Sequence, residues 1–536
     1  MGSKNILIKM GSLLDIIHTV KLLIQSIFCF MRSFTKRISK QVPILTISSA
    51  LLTSLIFPNF NQSWLAYFCL VPALFELHYL KSTYKTVFAR GVLFGVILVS
   101  LFHIWMLELH IWASWPHIIL IWIAASVFYG FFYGISFLLG SLVKSDLPLI
   151  FCFPSAWIIG EWLRSIGPLG NTAASIGYSQ TSFLPVLQWA SYGGVYFLSF
   201  FCVLINVLFF LMIKNLARPS VFLKYTGIII ILFSIVIIIG KNQYKINNAF
   251  ANSQSSVKIA VIQANHAQKD KLDKNKWPSI RRDYLALCAS AAQKNPQFII
   301  CPETITPTFN LRRFLFISTL MKTARKNNIN IILGTPIEEQ EKFYNSVVAV
   351  TPRGLAKEKY RKVRLMPFGE YWPFKTFLKL LGLEKWVSLE DYSPGKSVKP
   401  LQIGNYFWGI GICLESIYPN YFRKYIKAKA QFFAVLVNNA WFFRSSAAAE
   451  HLQMSIMRAV ENNRYLVQAA NTGISAIVSN TGEIVKKTEL EENKILYGTI
   501  YYGLPNTFYA KSGDWIIFIG IALLFFFNIY GVARKY

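Results

Sequence analysis

The sequence predicts a multi-span α-helical membrane bundle joined to an α/β domain. Hydrophobic residues make up 54% of the 536 residues and charged residues only 15%, which is far more apolar than a soluble protein. Seven apolar runs fill residues 43–240, and one more occupies residues 514–532. Between 241 and 513, short apolar runs typical of strands alternate with amphipathic stretches. That alternation favours a layered α/β fold between the seventh and the eighth run.

A helix needs about 17–25 predominantly apolar residues to cross a bilayer, and the sequence offers about eight such runs. We predict membrane-spanning helices near residues 43–58, 62–80, 87–107, 116–141, 147–166, 190–213, 223–240 and 514–532. The first seven form a transmembrane domain over residues 43–240. The eighth opens a C-terminal segment, residues 514–536, that ends in a short cytoplasmic tail.

Lysine and arginine in the short loops set the orientation of these spans. They precede the first span and follow the even-numbered spans, at Arg32, Lys36, Arg37, Lys40, Lys81, Lys85, Arg90, Lys144, Lys214, Arg218, Lys224, Arg534 and Lys535. Cytoplasmic loops are enriched in these two residue types, so these loops are expected in the cytoplasm. Counting spans from there places the domain at 241–513 outside the cytoplasm.

Residues 1–42 form an N-terminal cytoplasmic or interfacial segment in this scheme. The stretch at 13–31 is apolar with helical spacing, but Asp15 and Lys21 interrupt it. Such a stretch favours a helix that lies on the membrane surface. A ninth span is the alternative, and it would move only the N-terminus across the membrane.

The formal charge of +30 raises the question of nucleic-acid binding. No zinc-ligand spacing, RNP-like motif or basic helix accompanies the charge, so the sequence does not predict a nucleic-acid-binding protein. The excess of lysine and arginine fits loops that set topology and attraction to anionic lipid headgroups.

Three of the seven cysteines fall in the α/β domain, at Cys288, Cys301 and Cys413. Their number is odd and no CxxC spacing occurs, which argues against a disulfide framework and against a zinc site. At least one of the three is expected to be a free thiol.

Three segments of the α/β domain each offer a chemically capable side chain. Glu303 ends the strand-like run FIICPET, Cys413 ends FWGIGIC, and Lys362 lies in YRKVRLMPFGE. Functional groups at the carboxyl ends of strands converge at one edge of an α/β sheet. Taken singly, each residue also fits an ordinary structural role. Glu303 fits a solvated loop carboxylate, Cys413 a core thiol and Lys362 a surface lysine. A Cys–His pair with His266 or His451 remains the competing nucleophilic scheme.

Three sequence blocks resemble the signature blocks of the nitrilase, or carbon–nitrogen hydrolase, superfamily. They are PET at 302–304, YRKVRLMPFGE at 360–370 and GIGICLE at 409–415. Nearly the whole chain resembles the apolipoprotein N-acyltransferase family, through EWLRS at 161–165, GYSQ at 177–180, NNAWF at 438–442 and NTGISA at 471–476. The resemblance implies a nitrilase-like αββα sandwich for residues 241–513 and a Glu–Lys–Cys triad.

The resemblance assigns a role to each member of the triad. Cys413 is implied as the nucleophile and Glu303 as the general base, because a thiol must lose its proton before it attacks. Lys362 is implied as the cation that stabilises the oxyanion of the tetrahedral intermediate, together with the backbone N–H of Leu414.

Two further glutamates match the superfamily pattern as supporting residues. Glu370 is implied to hold the lysine and the glutamate of the triad in place, and Glu415 to orient the loop after Cys413. On a strand-like path, side chains 413 and 415 would point to the same side.

Several aromatic residues are expected at a lipid entrance. Trp372 and Phe374 begin the apolar segment YWPFKTFLKLLGLEKW, which fits a mobile lid that admits acyl chains from the membrane. A core helix of the domain is the alternative for this segment. Trp441 and Phe442 are expected to line the acyl entrance, and Trp277 matches a tryptophan that the family has near it.

The resemblance also implies the substrates. The family takes an acyl chain from a phospholipid, typically phosphatidylethanolamine, holds it as a cysteine thioester, and passes it to the N-terminal α-amine of a diacylglyceryl apolipoprotein. It implies no metal or organic cofactor, a monomer, and a place in the bacterial inner membrane with the catalytic domain on the periplasmic side. The rival interpretations are a membrane-tethered amidohydrolase with the same triad and a transporter or receptor whose outer domain only binds a ligand.

Overall fold

The structure of the protein is a computed structural model that describes residues 43–79, 83–143, 145–306, 314–373, 375 and 392–533. The predicted surface helix at 13–31 lies outside these residues. So do Phe374 and most of the predicted lid segment.

The membrane part contains eight described helices ahead of the first strand. Their bounds are α1 Ile44–Ser54, α2 Val71–Tyr79, α3 Tyr84–Phe102, α4 Trp115–Gly140, α5 Asp146–Leu163, α6 Leu184–Leu187, α7 Ala190–Lys214 and α8 Pro219–Asn252. Among the described residues, five of these helices, α3, α4, α5, α7 and α8, are long and apolar enough to cross a membrane. They coincide with five of the predicted spans, so a membrane bundle of at least these five helices is confirmed.

The first two predicted spans, at 43–58 and 62–80, form short helices instead of continuous ones. Helix α1 has 11 residues and α2 has 9. At 1.5 Å per residue, neither approaches the roughly 30 Å of a hydrocarbon core. The chain turns between them at Asn59 and Asn61, whose φ angles of 93° and 52° are incompatible with a right-handed helix.

Buried polar contacts explain why these helices can end inside the bundle. The carboxylate of Glu76 accepts from the N–H of Thr46 at 2.7 Å, and the amide oxygen of Asn206 accepts from the N–H of Leu70 at 2.8 Å. Backbone that leaves the helical ladder at membrane depth is tolerated only where protein satisfies its polar groups. Composition does not show such contacts, and the count of eight spans rested on composition.

The eighth predicted span, at 514–532, corresponds to the last helix, Trp515–Ala533. This helix packs against α5 and α7. Within this helix, residues Trp515–Asn528 form an apolar stretch.

The α/β domain contains twelve described strands in two six-stranded sheets. The strands are β1 Ser256–Gln263, β2 Phe298–Ile300, β3 Asn330–Glu339, β4 Lys342–Thr351, β5 Gly354–Arg361, β6 Leu401–Ile403, β7 Tyr406–Ile412, β8 Phe432–Val437, β9 Leu466–Ala470, β10 Ala476–Val478, β11 Ile484–Lys487 and β12 Lys494–Tyr501. The first sheet has the order β12-β1-β2-β3-β4-β5, and the second has the order β11-β10-β9-β8-β7-β6.

The remaining helices lie on the outer faces of these sheets or return the chain to the bundle. They are α9 Gln268–Leu272, α10 Trp277–Ala292, α11 Phe314–Asn327, α12 Pro419–Lys427, α13 Ala447–Asn462, α14 Phe508–Ser512 and α15 Trp515–Ala533. Helices α10 and α11 pack on the first sheet, and α13 packs on the second. In β1, Ile259 and Val261 belong to the core between the sheets, whereas Ala260 and Ile262 belong to the core under the helices. The predicted αββα sandwich is therefore present.

Helix α13 also joins the α/β domain to the bundle, through a kink in α7. Gly194 has a φ of 66°, and a Cβ there would lie 2.6 Å from the ring of Tyr509. The kink presents the N–H of Val195 to the carboxylate of Glu461, at 3.0 Å. The guanidinium of Arg458 pairs with the same carboxylate at 3.0 Å, and both charged side chains are fully buried.

We expect the variant Arg458→Met to lower the free energy of unfolding by about 3–5 kcal/mol, because it leaves the carboxylate of Glu461 buried without its cation. Thermal unfolding in detergent measures the change. The double variant Arg458→Met/Glu461→Gln should recover part of the loss. As a matched control, Lys494→Met breaks an exposed pair with Glu492 and should leave the unfolding transition nearly unchanged, because water and salt screen an exposed pair. Equal losses in the two single variants would contradict the prediction.

Candidate active site

Cys413 lies at the end of β7, where the backbone leaves the strand abruptly. Strand β7 ends at Ile412, and residues Cys413–Ile417 form a 3₁₀ turn. Cys413 has a φ of 49°, in the left-handed region that costs a side-chain-bearing residue free energy. Because the strand does not continue, the expectation that side chains 413 and 415 share a strand face is wrong. Cys413 instead begins a turn just beyond the carboxyl end of β7.

Glu415 fastens this turn to the loop that follows β5. One carboxylate oxygen accepts from the hydroxyl of Tyr360 and from the N–H groups of Val363 and Arg364, at 2.8 to 3.0 Å. The other oxygen accepts from the N–H of Ile412 at 2.9 Å. Burial raises the pKa of Glu415 to about 7. The side chain thus holds the turn of Cys413 against the loop that carries Lys362.

Glu303 and Lys362 lie in a buried network that Glu370 and Asn345 complete. The ammonium of Lys362 is 2.8 Å from Glu370 Oε2 and 3.8 Å from Glu303 Oε1. The amide of Asn345 donates to Glu303 Oε1 and to Glu370 Oε1, both at 2.7 Å. The N–H of Asn438 donates to Glu303 Oε2 at 2.9 Å. One cation and two amide donors therefore fix the carboxylate of Glu303 from three sides.

The electrostatics of this network suit a base beside a protonated thiol. Burial raises the pKa of Glu303 above its usual range, although the ammonium of Lys362 lowers it in part. Burial and the carboxylate of Glu303 raise the pKa of the Cys413 thiol above its usual range. Burial disfavours the ammonium of Lys362, but Glu370 and Glu303 outweigh it and raise the pKa of Lys362 above its usual range. The resting site thus holds a protonated thiol, a fixed cation and a carboxylate that accepts protons readily.

The backbone N–H of Leu414, directly after the nucleophile candidate Cys413, lowers the pKa of the thiol in part, because an N–H donor favours the thiolate. An N–H directly after a nucleophile and a buried cation are the donors that an oxyanion needs. The arrangement can therefore stabilise both the attacking thiolate and the tetrahedral oxyanion.

The competing Cys–His scheme finds no support in the geometry. His451 is buried, its Nδ1 is 3.2 Å from the amide nitrogen of Asn439, and burial lowers the pKa of His451 to about 4. His266 lies 3.8 Å from Asp283, on the side of α10. Neither histidine contributes to the shifted pKa of the Cys413 thiol, whereas the charge of Glu303 raises it.

The sequence analysis did not identify Asn345 or Lys271. Asn345 occupies a buried position in the apolar strand β4, and a polar residue in the middle of FYNSVVAV is the signal that could have found it. Lys271 is 2% exposed, on the short helix α9, and its ammonium donates to the backbone carbonyl of Glu303 at 3.5 Å. Nothing in KDKLDKNK distinguishes this lysine from its exposed neighbours. Among the described residues, no group of three His, Cys, Asp or Glu side chains could hold a metal ion.

We expect Lys271→Met to move the acid limb of the rate–pH profile to higher pH, by at least about 1 unit. The ammonium lowers the pKa of Glu303, and burial lowers the pKa of Lys271 itself only to about 8, so the cation is present over the acid limb. At an effective dielectric constant near 20, a unit charge about 12 Å away shifts a pKa by about 1 unit and a closer charge shifts it by more, so 1 unit is the smallest shift expected. Acyl-enzyme formation measured between pH 4.5 and 8 tests it, with the exposed Lys269→Met as the matched control. Superimposable acid limbs would contradict it.

The predicted entrance residues Trp441 and Phe442 lie where the α/β domain meets the bundle. The ring of Trp441 is 5.3 Å from that of Trp112, and the ring of Phe442 is 4.7 Å from that of Trp105. The indole of Trp112 also donates to the carbonyl of Trp441 at 3.3 Å. The two residues thus pack against the aromatic segment that follows α3.

The other predicted entrance residues have different surroundings. The indole N–H of Trp277 donates to the carbonyl of Lys271 at 2.9 Å, so this side chain braces α9 beside Glu303. The indole N–H of Trp372 is buried and has no hydrogen-bond partner among the described residues, and its ring contacts Phe368 edge-on at 5.6 Å.

Both parts of the chain match known families. Residues 49–208 match the N-terminal domain of apolipoprotein N-acyltransferase, and residues 258–504 match the carbon-nitrogen hydrolase family. Apolipoprotein N-acyltransferase of Geobacter metallireducens is 31% identical over 392 residues, which cover 71% of this chain and 74% of that protein. The Coxiella burnetii protein of the same name is 29% identical over 501 residues, covering 90% of this chain and 99% of its own.

Among solved structures, Saccharomyces cerevisiae Nit3, a member of the nitrilase superfamily, matches 46% of this chain and 91% of its own, at 18% identity and a TM-score of 0.36. The two sequence families match in the order that the fold displays, a membrane part followed by an αββα domain. Since a relative above 30% identity also matches over most of its length, the chain belongs to the apolipoprotein N-acyltransferase family.

Proposed function

We propose that the protein transfers an acyl chain from a phospholipid to the N-terminal α-amine of a diacylglyceryl apolipoprotein, through a thioester on Cys413. The observation that carries the proposal is the buried Glu303–Lys362–Glu370 network beside the strained Cys413 turn, in a domain that packs directly on a membrane bundle. Membership in the apolipoprotein N-acyltransferase family supports both the reaction and the two substrates.

In the first half-reaction, the carboxylate of Glu303 takes the proton of the Cys413 thiol as sulfur attacks the ester carbonyl of the phospholipid. Negative charge develops on the carbonyl oxygen, and the Lys362 ammonium and the Leu414 N–H stabilise it. The C–O bond to the glycerol then breaks, and the departing alkoxide takes the proton back from Glu303. The products are a lysophospholipid and an acyl thioester on Cys413.

In the second half-reaction, the α-amine of the apolipoprotein attacks the thioester carbonyl. Glu303 accepts the proton that the amine loses, and the C–S bond breaks to form an amide. The proton passes to the departing thiolate, which restores Cys413. A thioester is more reactive towards amines than the original ester, and a poorly hydrated site protects it from water.

The setting supports the finer parts of the proposal. The Lys and Arg bias of the loops favours a multi-pass protein of the bacterial inner membrane with residues 241–513 on the periplasmic side. We propose phosphatidylethanolamine as the acyl donor and a monomer as the working unit. The contacts of Trp441 and Phe442 with the bundle favour an acyl entrance at that junction.

Intact mass spectrometry after incubation with phosphatidylethanolamine tests the proposal. The expected result is a hydroxylamine-labile mass increase of one acyl chain, located by peptide mapping on Cys413. Addition of a diacylglyceryl peptide should discharge the adduct and yield an N-acylated peptide.

A membrane-tethered amidohydrolase predicts a different outcome. It would leave no acyl adduct and would release ammonia from small amides, which would overturn the acyltransferase. Absence of both activities in a protein that remains folded in detergent would favour an outer domain that only binds a ligand.

A further inference from the structure

Cys288 and Cys301 lie in contact in the core between the first sheet and its helices. Cys288 is on α10, and Cys301 directly follows β2. Their sulfur atoms are 3.8 Å apart, and both side chains are 0% exposed. In the structure both are free thiols, since a disulfide needs a separation of about 2.05 Å. The sequence spacing of these two residues gave no indication that they meet.

The position of Cys301 is fixed by its backbone. Its N–H donates to the carbonyl of Ile332 at 2.8 Å, and the N–H of Gly334 donates to the carbonyl of Pro302 at 3.1 Å. These bonds belong to the strand end that leads to Glu303, two residues on. An approach of the two sulfur atoms therefore has to come mainly from the side chain of Cys288 on its helix.

We propose that Cys288 and Cys301 form a disulfide in the mature protein. The proposal rests on the proposed location of the domain outside the cytoplasm, where disulfides persist. Each thiol loses its hydrogen and one S–S bond forms. The two electrons and two protons reduce the disulfide of a thiol–disulfide oxidant, either a protein oxidoreductase or a small disulfide, to two thiols. Because both side chains are fully buried in the folded domain, the bond forms while the domain folds.

The bond removes the two thiols that could compete with the nucleophile. Residues 241–513 contain three cysteines, Cys288, Cys301 and Cys413. In an oxidising compartment, a free thiol that must stay reactive is at risk of pairing with another. A Cys288–Cys301 disulfide leaves Cys413 as the single thiol of the domain and staples α10 to the strand that leads to Glu303.

Peptide mapping of the wild-type membrane protein tests the proposal. The protein is purified without reductant, denatured, treated with N-ethylmaleimide and digested with trypsin. Cleavage after Lys294 separates the cysteines into peptides 283–294 and 295–312. The expected result is one linked species that lacks two hydrogens and that separates on reduction, with Cys413 alkylated. Recovery of both peptides alkylated would overturn the proposal.

Thermal unfolding provides a second readout. Reduction should lower the Tm of the wild type by roughly 5–10 °C, because a loop of this length is no longer closed in the unfolded chain. The variant Cys288→Ala/Cys301→Ala should show no response to reductant. A Tm that does not change on reduction of the wild type would count against the disulfide.

The result is separable from the proposed function. A linked pair without a Cys413 thioester would overturn the acyltransferase alone, and a thioester with both thiols alkylated would overturn the disulfide alone. If both fail, labelling the exposed variant Lys357→Cys, in the Cys288→Ala/Cys301→Ala background, with an impermeant maleimide on intact cells tests the location. Labelling of Lys357→Cys would place the domain outside the cytoplasm, so the distance between the two sulfur atoms would be the reason that no disulfide forms. Absence of labelling would overturn the proposed location, on which the disulfide rests.

Discussion

Replacing Cys413 by alanine is expected to abolish the acyl adduct and acyl transfer together, with a loss of at least about 10⁴-fold. The thioester requires the sulfur, and no other group of the site can form it. Alanine carries the same Cβ in the same left-handed backbone conformation, so the fold should persist. Intact mass spectrometry with phosphatidylethanolamine measures the adduct, and a circular dichroism melt in detergent checks the fold.

Two companion variants sharpen this experiment. Cys413→Gly should be as inactive as alanine but more stable by about 1 kcal/mol, because glycine adopts a φ of 49° without steric cost. Cys152→Ala, in the bundle, should keep the adduct. Residual adduct in Cys413→Ala would place the acyl chain on another residue and would refute the assignment of the nucleophile.

Replacing Glu303 by glutamine is expected to slow acyl-enzyme formation by about 10³–10⁴-fold, the upper part of the range for a lost general base. Glutamine keeps the volume and one acceptor oxygen, which can accept from Asn345 or from the N–H of Asn438 but not from both, and it cannot take the thiol proton. Lys362 retains Glu370 as its closest partner, so the network should survive. Rapid-quench mass spectrometry of the adduct measures the rate, and the exposed Glu358→Gln is the matched control.

The pH dependence tests the same residue in the wild type. Burial raises the pKa of Glu303 above its usual range, and the base works only when it is ionised. The rate should therefore fall on the acid side at a pH above the ordinary glutamate value of about 4.3. In Glu303→Gln this limb should disappear. A limb that persists unchanged in the variant would belong to another group and would remove Glu303 from the role of base.

The sequence was most informative where chemistry or periodicity imposes a local pattern. Strand-like alternation predicted a layered α/β domain, and the resemblance carried by the blocks around Glu303, Lys362 and Cys413 implied an αββα sandwich with these residues in one triad. The structure brings Glu303 and Lys362 together and couples both electrostatically to Cys413. Long uninterrupted apolar runs likewise predicted the five long helices of the bundle.

What the sequence could not show depends on contacts between distant segments. Helices α1 and α2 can be short because Glu76 and Asn206, 30 and 136 positions away, accept from backbone N–H groups at their starts, and the chain turns between them at Asn59. Hydropathy averages do not register such contacts. Likewise, Lys271 is buried only because α9 folds over the strand end that carries Glu303, and the left-handed backbone of Cys413 has no signal in GIGICLE.

The kink of α7 at Gly194 has a consequence for how the two halves of the protein are made. The main-chain N–H of Val195 is bonded to Glu461, more than 260 positions later, and the carbonyl of Tyr192 accepts from the indole of Trp515. A ribosome delivers α7 to the bilayer long before either partner exists. Until then this helix carries unpaired polar backbone, which favours a loose bundle during synthesis. The catalytic domain and the last helix thus supply the contacts that complete the packing of the bundle. A truncated N-terminal half lacks these contacts and should be prone to degradation.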